Sequence, residues 1–411
     1  MKKTLVSLLG ATLMLGTGGV GRSIYAVAEK GNSVELTCVQ SEKEETVACL
    51  NHTVDLHVQA KSAYLMDYAT GTPIFAQNET VRLPIASMCK IMTLLLSFEA
   101  IEQGVLQFDE EIAVSERAAS MGGSQVFLEA NAKYSTSELI KSIVVCSAND
   151  SCVAMAEKLA GSEEAFVDKM NEKAKELGAK DTLFANCTGL PKEPQYSCAK
   201  DVAVMLKALL VHKAYFEYGK VWMDKFQHPE GRYTEITNTN KLVRFYDGCD
   251  GGKTGFTNQA GFCLAATAKR NDMRIISVVI GEENSKNRFD DVRTMFDYAF
   301  ANYTMTPIVE AGVPLDDRAR VSGGKRKEIS IVPARSSLLF TKRGEKANVM
   351  VETQFNTLRA PIKQGDVAGE IIVYKDNIEI DRVPLISCEE VEKANFFDRF
   401  KDVANDWNGR S

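Results

Sequence analysis

A long stretch with helical spacing separates two groups of strand-like segments in this chain of 411 residues. Residues 63–67 and 73–76 resemble two short strands around a turn at Gly71. Apolar residues recur at helical spacing from about 109 to 210, strand patterns return at 261–268 and 274–281, and a helix follows at 288–303. This order predicts an α/β (α+β) domain with one antiparallel sheet, built from both ends of the segment and covered by helices.

The composition changes at Thr306-Pro307, where short β-rich runs begin. These runs predict a small, all-β domain at residues 307–388, well within the usual size range of a domain. Residues 389–411 return to helical spacing and place phenylalanines on one face, which predicts an amphipathic C-terminal helix. The first domain is therefore expected at residues 57–306.

The N-terminus has the pattern of an export signal. Lys2 and Lys3 precede an apolar stretch that is too short to span a bilayer, and Ala26-Val27-Ala28 fits a cleavage site. We expect a signal peptide at residues 1–28, a polar leader at 29–56, and an exported protein that acts outside the cytoplasm. The net charge of −6 argues against nucleic acid as a partner.

The chain contains ten cysteines and four histidines, and they do not stand at metal-ligand spacings. No metal is therefore expected. Most of the cysteines are interpreted as small buried hydrophobic residues, whereas Cys38 and Cys49 flank a polar segment and can pair in a disulfide. The sequence leaves open whether the thiols are free.

A serine and a lysine stand three residues apart at the start of an apolar run, at Ser87 and Lys90. A helix beginning near Pro84 would put both side chains on one face, so that the lysine amine can activate the serine hydroxyl as a nucleophile. Ser-x-x-Lys occurs three times, but only this copy precedes a long apolar helix. None of the histidines lies in a context that suits a Ser-His-Asp triad.

Two further motifs complete the candidate site. Ser147-Ala148-Asn149 stands at a break between two predicted helices, where Asn149 is either a ligand-facing amide or simply the helix N-cap. Lys253-Thr254-Gly255 occurs once and is flanked by glycines, which suits an edge strand close to a ligand or an ordinary turn.

Together and in this order, the three motifs resemble those of the penicillin-recognising serine enzymes. Residues 56–303 are similar to the low-molecular-mass penicillin-binding proteins that are serine-type D-alanyl-D-alanine carboxypeptidases, and residues 307–388 resemble the C-terminal domain of that family. The matching segments are 84–87, 147–150, 186–190 and 250–257. The resemblance implies a β-lactamase/transpeptidase-like fold, no cofactor, and two ligands: peptidoglycan stem peptides ending in D-Ala-D-Ala, and β-lactam inhibitors.

The resemblance also implies a role for each residue. Ser87 becomes acylated, Lys90 takes its proton, and Ser147 relays a proton to the leaving amine. To act as a base near neutral pH, Lys90 needs a pKa about 3 units below that of a free lysine. Substrate binding falls to Asn149, Lys253, Thr254, Gly255, Phe256 and Arg288, with the backbone N–H groups of Ser87 and Phe256 as the oxyanion hole.

Two alternatives to the carboxypeptidase remain. A β-lactamase shares the acylation chemistry, but class A enzymes carry a glutamate where this chain has Leu183. A catalytically inactive penicillin-binding or cell-wall-binding module is disfavoured because every catalytic position is filled. For the tail, the apolar face containing Phe396, Phe397 and Phe400 favours peripheral membrane contact over docking onto the protein.

Overall fold

The computed structural model describes residues 54–398 and 400, together with the backbone of residues 23–30 and 33–37. The chain divides into two compact units. The larger unit ends at Tyr303, and the C-terminal unit begins at Thr304 and includes the N-terminal strands. The possible Cys38–Cys49 disulfide lies outside the described residues.

The N-terminal strands are β1 (Ser23–Lys30) and β2 (Ser33–Thr37). They form an antiparallel pair. The expected polar leader at 29–56 thus includes strand β2, and β1 covers the expected signal cleavage site at Ala26-Val27-Ala28.

The larger unit alternates strands and helices in the predicted order. Its elements are β3 (Ser62–Asp67), β4 (Pro73–Gln77), a 3-10 turn (Ala86–Cys89), α1 (Lys90–Glu102), β5 (Glu111–Ala113), α2 (Glu116–Ala119), β6 (Lys133–Ser135), α3 (Thr136–Val145), α4 (Asn149–Ala160), α5 (Glu163–Glu176), α6 (Ala199–Leu209), α7 (Tyr215–Gly219), β7 (Met223–Gln227), a 3-10 turn (Pro229–Gly231), β8 (Tyr233–Thr237), α8 (Leu242–Phe245), β9 (Cys249–Thr257), β10 (Gly261–Arg270), β11 (Met273–Glu282) and α9 (Ser285–Asn302).

The main sheet of the larger unit has the order β4-β3-β11-β10-β9 among the described strands. Every neighbouring pair is antiparallel. The strands from both ends of the segment therefore meet in one sheet, and the predicted fold class is confirmed. Strand β9, which carries Lys253-Thr254-Gly255, forms one edge of this sheet.

Helices cover both faces of the sheet. Ser277 of β11 contacts Met295 of α9, whereas the alternate residues Ile276 and Val278 belong to the core shared with α1, α3, α4 and α6. Because side chains alternate between the two faces of a strand, α9 covers one face and the helical insertion covers the other. Burial on both faces explains why β11 is a nearly continuous apolar run.

The C-terminal unit is built of strands. They are β12 (Tyr303–Val309), β13 (Arg318–Ser322), β14 (Glu328–Pro333), β15 (Ser337–Lys342), β16 (Val349–Phe355), β17 (Leu358–Arg359), β18 (Val367–Lys375) and β19 (Ile378–Ser387). The larger sheet has the order β17-β13-β14-β19-β18-β16-β1-β2 among the described strands, and β12 pairs with β15. Alternating apolar residues such as Ile329, Ile331, Val383 and Leu385 form its core. The predicted all-β character of this part is confirmed.

The tail differs from the prediction at its start. Residues 389–395 are not helical, and the buried Val391 bridges to Ile362. Helical residues begin only at Phe396. Phe396, Phe397 and Phe400 are exposed by 76%, 81% and 68%. In the described part of the chain, no helix combines the length and the apolar character that a bilayer span requires.

Candidate active site

Ser87 lies in a strained turn that leads into a buried helix. The helix α1 begins at Lys90, later than the sequence predicts, and the preceding 3-10 turn carries Ser87. Ala86 has a positive φ of 47°, a conformation that costs an alanine free energy and that clusters at functional sites. The turn still brings the two side chains together as predicted, because Lys90 Nζ lies 2.9 Å from Ser87 Oγ.

Lys90 is completely buried and surrounded by oxygen atoms. Besides Ser87, its Nζ contacts Asn149 Oδ1 at 2.7 Å and the Thr188 carbonyl oxygen at 2.5 Å. An ammonium has three N–H donors, so these contacts use all of them. A neutral amine would keep two donors for Asn149 and Thr188 and offer its lone pair to the Ser87 hydroxyl, which is the arrangement of a general base.

The break between α3 and α4 delivers Ser147 and Asn149 to the same place. Ser147 has a φ of 66°, and its hydroxyl is buried without a hydrogen-bond partner. Asn149 is the first residue of α4 and not its N-cap, a position that Ala148 occupies. Its amide joins Lys90 to the Gly122 carbonyl oxygen, which Nδ2 contacts at 2.7 Å. The capping alternative for Asn149 is therefore wrong.

Strand β9 lies directly against the Ser87 turn. A Cβ on Gly255 would stand 2.6 Å from the Ile85 carbonyl oxygen and 3.3 Å from the Ser87 nitrogen, so only glycine allows this approach. Thr254 Oγ1 bonds to Thr239 Oγ1 at 2.8 Å. The edge-strand prediction for Lys253-Thr254-Gly255 is confirmed, and the alternative of an ordinary turn is wrong.

Lys253 is a second buried lysine, exposed by only 1%. Its Nζ donates to the Thr254 carbonyl oxygen at 3.1 Å. Burial, and then the charge of Lys90, lower the pKa of Lys253 to about 7. A positive charge on Lys253 is therefore disfavoured in this buried site.

Arg288 approaches β9 from α9. It lies in the first turn of the helix and donates from Nη1 to the Gly255 carbonyl oxygen at 3.2 Å. The rings of Phe262 and Phe289 lie 5.3 and 4.8 Å from the guanidinium carbon. Burial lowers the pKa of Arg288 to about 10, and its Nε is buried without a partner.

The backbone N–H of Phe256 points away from Arg288. The C=O and N–H of a trans peptide point in opposite directions, so the Phe256 N–H points away from the Gly255 carbonyl that Arg288 occupies. Its side chain is half exposed and stacks on Phe262 with ring centroids 4.2 Å apart.

The three basic side chains of the site lack carboxylate partners. Within the described ranges, neither Lys90, Lys253 nor Arg288 forms a salt bridge; their contacts are hydroxyl, amide and carbonyl oxygens. Uncompensated positive charge in a buried site favours an anionic ligand. The arrangement thus combines a serine in contact with a buried lysine amine and basic side chains that have no acidic partner among the described residues.

Comparison with known proteins shows the family of this chain. A family model described as D-alanyl-D-alanine carboxypeptidase matches residues 48–284, and one described as penicillin-binding protein 5, C-terminal domain, matches residues 303–393. The chain is 40% identical over 357 residues to the D-alanyl-D-alanine carboxypeptidase DacF of Bacillus subtilis, covering 86% of this chain and 92% of that protein. This chain belongs to the D-alanyl-D-alanine carboxypeptidase family.

Solved structures of this family share the fold. The penicillin-binding protein PBP3 of Streptococcus pneumoniae, described as a peptidoglycan synthesis regulatory factor, superposes with a TM-score of 0.70 at 27% identity, covering 82% of this chain and all of that one. Penicillin-binding protein D2 of Listeria monocytogenes in its ampicillin-bound form superposes with a TM-score of 0.54 at 28% identity, covering 60% of this chain and all of that one.

Sequence reasoning missed the loop that supplies Thr188. Asn186 Oδ1 accepts from the Thr188 and Gly189 N–H groups, which fixes the turn that directs the Thr188 carbonyl at Lys90. Gly189 has a φ of 82°, and a Cβ there would lie 2.1 Å from the Ala86 carbonyl oxygen. The signal was present, since segment 186–190 was among those that match the family, but a carbonyl ligand leaves no mark in side-chain chemistry.

Asp150 was missed as a positioning residue. Its carboxylate is buried and accepts from the backbone N–H groups of Val126, Leu128 and Ser151. These bonds tie the loop after Gly122 to the start of α4, where Asn149 lies. Burial is the main cause that raises the pKa of Asp150, and the backbone bonds oppose it.

The cysteines beside the motifs are neutral thiols. Burial raises the pKa of Cys89 and of Cys146 to about 12, which leaves both protonated at neutral pH. This favours the interpretation as packing residues.

One group of side chains in the described residues has ligand atoms close enough to hold a metal ion. Asp181, Cys198 and Asp201 place them within 4.8 Å of one another. Both carboxylates are already engaged: Asp181 pairs with Arg82, and Asp201 accepts from Thr182. These contacts account for the group without a metal.

Proposed function

We propose that this protein is a serine-type D-Ala-D-Ala carboxypeptidase that removes the terminal D-alanine from peptidoglycan stem peptides. The observation that carries the proposal is the contact of 2.9 Å between Ser87 and the buried Lys90, within a pocket whose cations have no carboxylate partner among the described residues. A serine with a lysine base performs acyl transfer, and the unpaired cations suit a substrate that ends in a free carboxylate.

The acylation step uses the groups around Ser87. Neutral Lys90 takes the hydroxyl proton while Ser87 Oγ attacks the carbonyl carbon between the two D-alanines. The N–H groups of Ser87 and Phe256 stabilise the resulting oxyanion. Ser147, whose hydroxyl is buried without a hydrogen-bond partner, donates its proton to the leaving nitrogen as the C–N bond breaks and receives in exchange the proton that Lys90 took from Ser87. Free D-alanine departs, and an ester on Ser87 remains for water to hydrolyse.

Substrate binding uses the edge of β9. Lys253 and Thr254 receive the terminal carboxylate, and Arg288 adds its charge from behind the Gly255 carbonyl. Asn149 holds the substrate amide, and Gly255 lets the strand approach the Ser87 turn. The Phe256 backbone contributes to the oxyanion hole.

β-Lactams fit the same groups, because they combine a reactive amide carbonyl with a carboxylate. Opening of the ring by Ser87 leaves a penicilloyl ester on the enzyme. The alternative of a β-lactamase requires a base that hydrolyses this ester quickly. The position where class A enzymes have their glutamate is Leu183, whose backbone pairs with Tyr196, so we expect slow deacylation and inhibition.

Incubation with a D-Ala-D-Ala peptide and with benzylpenicillin tests the proposal. We expect release of free D-alanine and one long-lived adduct mass on Ser87, with both lost in Ser87→Ala. Rapid turnover of penicillin would instead support the β-lactamase, and neither activity would support an inactive binding module. An adduct that persists in Ser87→Ala would refute the assignment of the nucleophile.

The location of the enzyme is a separate part of the proposal. We infer export by the segment 1–28, a catalytic domain at 57–306 and an all-β domain at 307–388. The exposed phenylalanines of the tail would contact the outer face of the membrane. Sequencing of the secreted protein checks the first inference. A mature N-terminus at Glu29 is expected, which would remove most of β1; a mature protein that begins at Met1 would contradict export by cleavage.

A further inference from the structure

The free edge of β9 fixes the direction in which a peptide substrate lies, and this step rests on the proposed function. β9 ends the sheet, and extended peptides add to such edges. The substrate carboxylate lies at Thr254 and the scissile carbonyl at the Phe256 N–H. The substrate chain therefore runs antiparallel to β9. From Thr254 towards the C-terminal end of β9, each step of about 3.3 Å reaches a residue nearer the N-terminus of the substrate. The residue that precedes D-Ala-D-Ala comes to lie beside Thr257 and the turn after it.

A cleft lies at this position. It is lined by residues from the Ser87 turn, from the loop after Gly189 and from the β9–β10 turn, including Ala86, Leu190, Lys192, Glu193, Thr257 and Gln259. Its empty volume is about 270 Å³, open solvent included.

Glu193 gives the cleft a negative charge. Its Oε1 accepts a hydrogen bond of 3.1 Å from Gln259 Nε2, which spans the gap between the loop and the turn. No basic side chain of residues 54–398 forms a salt bridge with Glu193. A carboxylate has about four acceptor positions, so the bond from a neutral amide leaves several for a ligand.

The neighbouring Lys192 lines the same cleft. It also lines a hollow with Glu163, Glu164 and Asp168, away from the hydrogen bond between Glu193 and Gln259. The pKa of Glu164 is lowered by hydrogen bonds from its own backbone and from Ser162, and then by the charge of Lys192. Glu193 is thus the acid that faces the substrate cleft.

We propose that Glu193, held in place by Gln259, selects substrates with a positively charged amine on the side chain that precedes D-Ala-D-Ala. It is a specificity-determining residue that touches the substrate away from the reacting atoms. Because Glu193 is exposed, the pair gains only what a solvated ion pair gains, which is about a two- to fivefold preference in kcat/KM. The preference decreases at high ionic strength.

Two matched peptides test the inference. They end in Lys-D-Ala-D-Ala and differ only in whether the lysine amine is free or acetylated; released D-alanine gives kcat/KM. We expect the wild-type enzyme to prefer the free amine about two- to fivefold. In Glu193→Gln the preference disappears while the acetylated peptide is cleaved as before. Glu164→Gln, which removes the same charge outside the cleft, keeps the preference.

The outcomes separate the inference from the proposed function. Cleavage of both peptides with the same ratio in the wild type and in Glu193→Gln would overturn the role of Glu193 and leave the carboxypeptidase intact. No release of D-alanine from either peptide would overturn both. Acylation of Glu193→Gln by benzylpenicillin at the wild-type rate shows that the variant is folded. Comparison of the free and the acetylated peptide measures the contribution of the substrate amine in the wild-type enzyme, without any mutation.

Discussion

Replacing Lys253 by methionine should stabilise the larger unit while it destroys the site. Lys253 is exposed by 1%, and burial with the charge of Lys90 lowers its pKa from 10.5 to about 7. At about 1.4 kcal/mol for each pKa unit, the charged form is disfavoured in the fold by roughly 5 kcal/mol. Methionine fills a similar volume without charge, and exchanging a buried charge for an apolar residue typically stabilises by about 1–4 kcal/mol.

The effect has a definite dependence on pH. Unfolded Lys253 holds its proton up to a pH of about 10.4, and folded Lys253 holds it only up to about 7. Between these values the unfolded state binds more protons, so the wild-type stability rises with pH. The advantage of Lys253→Met is therefore complete below pH 7, and it should fall by roughly 3 kcal/mol between pH 6 and pH 9.

Urea unfolding at pH 6 and at pH 9 measures this difference. The chain has two tryptophans, and in a Trp407→Phe background only Trp222, in the larger unit, reports the transition. Lys269→Met is the matched control, because Lys269 is exposed on β10 and should change the stability by less than about 0.5 kcal/mol at either pH. A Lys253→Met variant that is less stable at pH 6, or whose difference does not change with pH, would refute the reasoning.

Three further outcomes are expected. Arg288→Gln should lower kcat/KM on a peptide with a free terminal carboxylate by about 10- to 150-fold, since a charge-assisted bond contributes about 1.5–3 kcal/mol. An equal loss on the same peptide with its terminal carboxylate amidated would contradict a role of Arg288 in carboxylate binding. Gly189→Ala should lower the rate of β-lactam acylation at least tenfold, because its Cβ meets the Ala86 carbonyl at 2.1 Å. Gly178→Ala is the control: it isolates the cost of a positive φ, about 1–2 kcal/mol, because nothing lies within 4 Å of its Cβ. If Gly189→Ala and Gly178→Ala had similar stability and similar acylation rates, the close approach of Gly189 to Ala86 would be unimportant. Deleting residues 396–411 should release the protein from liposomes and leave cleavage of soluble peptides intact. The deletion spares Val391, because that residue is buried. If the truncated protein sedimented with liposomes as the full-length protein does, the tail would not be the anchor.

The local elements were predictable because periodicity and turn residues act over a few neighbouring positions. Helices α3 (Thr136–Val145) and α6 (Ala199–Leu209) lie within the stretch of helical spacing at about 109–210, and β10 and β11 lie where strand patterns predicted them. The start of α1 was placed too early, because Pro84 suits a first turn equally well when it precedes a 3-10 turn. Strand β17 has only two residues, which is too short for an alternating pattern to stand out from a loop.

The sequence by itself determined which residues can perform chemistry. Ser87 and Lys90 are three positions apart, so one turn of backbone places both side chains on the same side, and their contact is 2.9 Å. The tertiary structure decided everything that joins distant segments. Asn149 is 59 residues from Lys90 and Thr188 is 98 residues away, yet both contact its amine. Gln259 meets Glu193 across 66 residues. Such contacts depend on how helices pack and where loops return, and for Thr188 the contacting atom is a backbone carbonyl that every residue type has in common.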